Sequence, residues 1–303
     1  MKALKPQRKY LKKMNKKVHR IPYLGYHTRA YVLGDLNKGV PLIILHGGPG
    51  GCVERYEPLE KLADFGVPLI FYDQLGCGYS RVPKNHKISW NFRIFLDELF
   101  NLINYFGLTK YNILGHSWGG MLALEYVCNF PHDGLEKLIL FSTLPSTKIW
   151  NDEHTKMLEE FSEKEKETLL AERDGKEFDK KIYKIAIKKF YKNHVGKRSK
   201  DLYPFNTKRF PKTNKEIYEK MWGKSELFGT GTLKDWNVEN KLHNIKVPTL
   251  ILSGALDESS PAMNELMNKE IKNSKWVLLK KSHHIGYVEE TDLVIDSIKS
   301  FIL

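Results

Sequence analysis

The 303-residue chain is 41% hydrophobic, long enough for one large core or for a core with an inserted lobe. Its formal charge of +13 suggests a nucleic-acid binder, yet nine Lys/Arg and no acid fall within residues 1–22, which leaves an ordinary +4 for the rest of the chain. That distribution argues against a nucleic-acid-binding body and points instead to a basic N-terminal tail, solvated and able at most to touch a polyanion weakly.

The tail lacks the apolar stretch of a secretory signal, and no later run reaches the length of a membrane-spanning helix, so a cytoplasmic protein without membrane insertion is expected. Cys52, Cys77 and Cys128 are odd in number and have no metal-ligand spacing, which argues against a disulfide framework and a zinc site.

From residue 23 to 144 short β-rich runs alternate with amphipathic ones. GYHTRAYVLGD reads as a strand, VPLIILHGG (40–48) and VPLIFYDQLG (67–76) as buried strands. Within residues 89–106 the apolar positions Phe92, Phe95, Leu96, Leu99, Leu102, Ile103 and Phe106 keep helical spacing. The strand YNIL, the helix WGGMLALEYVCNF stopped by Pro131, and the strand LEKLILFS follow. Continuously apolar strands separated by helices indicate an α/β fold, a mostly parallel sheet covered on both faces.

Residues 145–236 lose the β-rich runs and become highly charged, with helical segments and a capping-box pair at Ser162 and Glu165. This is expected to be a helical cap inserted into the core. From 237 to 303 the first texture returns: TLILSGALD and WVLLKK as strands, LVIDSIKSFIL as a closing helix.

Between YNIL and the next helix lies GHSWG, a G-x-S-x-G in which small residues let the chain turn sharply and project Ser117 from a strained corner. A serine hydroxyl needs a base, and the base an orienting acid. In this strand–turn–helix setting both should follow Ser117 in the order acid, then base, each just beyond a later strand. Asp257 ends TLILSGALD, and His283 and His284 follow WVLLKKS; spacing alone does not choose between the two histidines. His132 and His154 lie in less suitable contexts and are read as surface residues. HGGPG (46–50) can bring bare amides to a substrate, so the Gly48 and Trp118 N–H groups are candidate donors to a developing oxyanion. Neither a Walker A ending nor G-x-G-x-x-G is present.

HGGPG at 46–50, DQLGCGYS at 73–80, GHSWGG at 115–120, SGALDESSP at 253–261 and the segment from His284 to Glu289 together resemble the proline iminopeptidases of the α/β-hydrolase fold, including the tricorn-interacting aminopeptidase branch. The resemblance runs from about residue 23 to the C-terminus. It implies a triad of Ser117, Asp257 and His284. His284 is favoured over His283 because family members commonly carry a glutamate five residues after the catalytic histidine, here Glu289. It implies that Glu226 and Glu258 bind the substrate's free amine, that Gly48 and Trp118 form the oxyanion hole, and that no cofactor or metal is used. The substrates so implied are short peptides or aminoacyl amides with a free N-terminus. GHSWGG departs from the GGSWGS of many members, which leaves room for broader aminopeptidase, amidase or esterase activity. The alternative of another class is a non-catalytic, polyanion-binding protein on a hydrolase scaffold.

Overall fold

The computed structural model describes residues 16–196 and 211–303. Eight strands, β1 (Lys17–Tyr23), β2 (Tyr26–Leu33), β3 (Leu42–Leu45), β4 (Leu69–Asp73), β5 (Tyr111–His116), β6 (Leu135–Phe141), β7 (Thr249–Gly254) and β8 (Ser274–Leu279), form one sheet in the order β1-β2-β4-β3-β5-β6-β7-β8. The β1-β2 and β2-β4 pairs are antiparallel, and every pairing from β4 to β8 is parallel. The central strands LIIL, LIFYD and YNILGH are buried at every position, as a sheet covered on both faces requires.

One face packs against α1 (Phe92–Tyr105), α2 (Trp118–Asn129) and α7 (Pro261–Glu270), with Leu99, Leu122 and Met267 in its core. The other packs against 3-10 turns over Val53–Phe65 and against α8 (Gly286–Glu289) and α9 (Thr291–Ile302), around Leu59, Leu252 and Ile298. Each such side chain taken from water contributes about 1.5–3 kcal/mol. Asn91 starts α1 by accepting from the Ile94 N–H.

Between β6 and β7 the chain leaves the sheet for α3 (Thr147–Met157), α4 (Glu163–Arg173), α5 (Lys180–Phe190), a π-helical turn (Tyr191–Val195) and α6 (Lys215–Met221). Leu158, Phe161, Leu169, Ala186, Phe190, Leu227 and Phe228 give this cap a small core of its own. The Ser162–Glu165 capping box is formed. At its base, Ser146 bridges to Asn237.

Two expectations need correction. Residues 17–22, read as tail, belong to β1: their backbone pairs with β2 although only Ile21 on that strand is buried, so no apolar alternation marked it. Residues 1–15 lie outside the described residues. His154, read as a surface residue, is fully buried on α3, within the cap. Among the described residues no helix is long and apolar enough to cross a membrane, and all three cysteines are free.

Candidate active site

Ser117 stands between β5 and α2 with φ 55° and ψ −122°, a backbone region that L-residues occupy only at a cost of about 1–3 kcal/mol. The flanking glycines are steric necessities: a Cβ on Gly115 would lie 2.3 Å from the Gly119 carbonyl oxygen, and one on Gly119 would lie 2.1 Å from that of Leu45. The turn is held by the Ser117 N–H donating to the Phe141 carbonyl (2.9 Å) and by the Thr143 hydroxyl donating to the Ser117 carbonyl (2.8 Å).

Asp257, just past β7, and His284, past β8, meet across the sheet's C-terminal edge, with His284 Nδ1 2.8 Å from Asp257 Oδ1. Asp257 also accepts from the Ser142 hydroxyl (2.5 Å) and the Ser259 N–H (2.8 Å). Burial works against its charge, but the charge and bond of His284 and the bonds from Ser142 and Ser259 outweigh it and hold the carboxyl below its ordinary range. Burial likewise lowers the His284 pKa; the charge and bond of Asp257, with the charges of Glu226 and Glu289, overcome it and leave His284 above the ordinary histidine value. His283 is turned elsewhere: its N–H (2.6 Å) and its Nδ1 (2.9 Å) both meet the Glu289 carboxylate. The glutamate used to single out His284 therefore bonds to its neighbour, and acts on His284 only through charge.

A chain of hydrogen bonds links these parts. The Gly47 N–H donates to the Tyr56 hydroxyl (2.7 Å), leaving that hydroxyl to donate to His116 Nδ1 (2.8 Å). His116 must then carry its proton on Nε2 and donate to the His284 carbonyl (2.9 Å). Burial, aided by the charge of His284, pushes the His116 pKa down to about 3, so the ring stays neutral. The Gly47 amide is engaged by Tyr56, and Gly48 beside it lines the cavity. Trp118 opens α2, where first-turn N–H groups have no intrahelical acceptor.

Ser117, Gly48, His284, Glu226 and Glu258 all line one cavity of about 400 Å³ between core and cap. Glu226, from the cap, accepts from the Tyr218 hydroxyl (2.6 Å). Glu258 is fully buried, and its carboxylate oxygens have no hydrogen-bond partner among the described residues; His284 Nδ1 stands 3.5 Å from Oε1. Burial raises the Glu226 pKa; burial, then the charges of Glu226 and Asp257, push that of Glu258 well above the carboxylate range. Sequence reasoning did not find Ser142, Tyr56, Tyr218 or the buried His154, since each acts through a fold-dependent contact without a local motif. Among the described residues no group of His, Cys, Asp or Glu could hold a metal ion.

This elbow on a mostly parallel, helix-covered sheet defines an α/β hydrolase, and the model of the alpha/beta hydrolase fold matches residues 40–291. Proline iminopeptidase of Clostridioides difficile (strain 630) is 35% identical over 283 residues, 93% of this chain and 96% of that protein. The crystal structure of VinJ superposes with a TM-score of 0.82 at 30% identity, covering 94% of this chain and 98% of that one. The proline iminopeptidase of Mycobacterium smegmatis gives 0.80 at 25% identity, covering 94% and 97%. The chain belongs to the proline iminopeptidase family and is an enzyme of the serine aminopeptidase type.

Proposed function

We propose that the chain releases the N-terminal residue, proline included, from short peptides and aminoacyl amides through an acyl-enzyme on Ser117. His284 Nε2 takes the Ser117 proton as Oγ attacks the first carbonyl, and Asp257 keeps the imidazole oriented and stabilises it once charged. The Gly48 and Trp118 amides donate to the oxyanion. His284 returns the proton to the leaving amine, and water, activated by the same histidine, hydrolyses the acyl-enzyme.

The observation that carries this reading is the carboxylate pair, Glu226 and Glu258, in the cavity that holds Ser117. A fully buried carboxyl with no hydrogen-bond partner is costly unless a ligand completes it, and a substrate ammonium is the complement in charge and donors. An ammonium beside Glu258 favours the charged form that burial and the charges of Glu226 and Asp257 disfavour. The amine then sets the register, placing the first carbonyl at Ser117. GHSWGG at the elbow supports a preference not confined to proline. Three free cysteines support a cytoplasmic setting. Residues 1–15 add a basic segment suited to weak polyanion contact.

The test compares free-amine Pro-, Ala- and Leu-amides with N-blocked counterparts and with a small neutral ester. Glu226→Gln and Glu258→Gln should each lower kcat/KM on free-amine substrates by roughly 10- to 1,000-fold, while the ester changes much less. Equal losses on amine and ester would reduce the reading to a serine hydrolase of unspecified substrate, and faster turnover of blocked amides or esters than of free-amine amides would favour an esterase or amidase.

A further inference from the structure

The cap holds the backbone of a single core residue, Glu258, on both sides. The Glu258 N–H donates to the His194 carbonyl of the π-helical turn (3.2 Å), and the Glu258 carbonyl lies 2.9 Å from His154 Nε2 on α3. The other ring nitrogen of His154 lies 2.6 Å from the carbonyl of Leu227, the residue after Glu226. One imidazole therefore spans the two backbone segments that carry the two carboxylates. The ring is fully buried, lies against Trp150 (4.1 Å between centroids) and Phe190 (5.3 Å), and does not line the cavity.

We infer that His154 is a positioning residue that fixes the separation of Glu226 and Glu258, and through it the selection of substrates with a free amine. This rests on the reading of those carboxylates as the ammonium site. Glu226 has a hydrogen-bonded side-chain anchor in Tyr218, whereas the Glu258 carboxylate has no hydrogen bond and only His284 at 3.5 Å, so its position follows largely from how its backbone is held. Glu226 belongs to the cap and Glu258 to the loop after β7, so their spacing is a property of cap docking, and a rigid ring transmits such a distance better than a flexible chain. Burial pushes the His154 pKa down to about 4, so near neutrality the ring is uncharged and carries one N–H: both carbonyls only accept, so the ring donates to one of them and packs against the other.

The experiment measures kcat and KM for an alanine or proline chromogenic amide and for a small neutral ester in His154→Leu, His154→Phe and His154→Gln, with Glu258→Gln in parallel. Both apolar variants should lose roughly 10-fold in kcat/KM on the amide, chiefly through KM, with the ester unchanged, and His154→Gln, which restores a donor, should recover part of the loss. His154→Phe decides the matter if His154→Leu does not fold. If Glu258→Gln lowers the amide-to-ester ratio and the apolar His154 variants do not, the inference is overturned while the ammonium reading stands. If Glu258→Gln leaves the ratio unchanged, the ammonium reading fails and the inference falls with it.

Discussion

Ser117→Ala removes the acyl-enzyme and should abolish nearly all turnover at an unchanged melting temperature. His284→Ala should match it, whereas His283→Ala, whose ring faces Glu289, should cost far less; comparable rates for the two histidine variants would reverse their assignment. The raised His284 pKa fixes the sign of the pH profile. The base must be neutral to accept the Ser117 proton, so kcat/KM should fall as pH drops through a value above the ordinary 6.5. Glu226 contributes to that rise, so Glu226→Gln should move the acidic limb of ester hydrolysis to lower pH; a limb that stays put would show that the Glu226 charge does not reach the base. Ser117, Asp257 and His284 could be picked out as candidates because each sits just past a strand. The partners of Asp257 and Glu258 could not: Ser142 is 115 positions from Asp257, and His154 is 104 from Glu258, so only the folded chain joins them.

At the scale of elements, the buried parallel strands and α1 could be read because continuous apolar runs and three-and-four spacing are local signals. The 3-10 turns over Val53–Phe65 and α7 were not assigned: the first contain Pro58 and lack a clean period, and the second is short and largely polar on its outer side. β1 escaped because hydrogen bonding to β2, not burial, makes it a strand. The elbow is the least tolerant element. Gly119→Ala would drive a methyl group into the Leu45 carbonyl, which is backbone and cannot swing aside, so thermal unfolding should show a loss of about 1–3 kcal/mol or more, with activity lost as the turn shifts. A stable, active variant would mean that the turn can open without cost.

For the whole molecule, a cavity lined by both core and cap residues is expected to admit a chain terminus rather than a through-running chain. Unfolded proteins with a free first residue should be trimmed one residue at a time, and mass spectrometry should find no internal cleavage; internal fragments would mean that the cap leaves a through passage. The uneven charge calls for a truncation that starts at Lys16, since a cut further on would remove β1. Six of the Lys/Arg lie in residues 1–15, and their removal should weaken retention on heparin at low salt. Equal retention would assign any polyanion contact to the folded body.

The His194 carbonyl takes two amides, those of Glu258 and His284. A roof that supplies a backbone acceptor to the base itself is not an interchangeable module. Deleting it should not uncover a faster, less selective esterase, and grafting the lid of another hydrolase should yield an idle chimera unless the borrowed piece brings a carbonyl to the same spot. Such a lid and its chemistry would have had to diversify together, each substitution in one screened by the other.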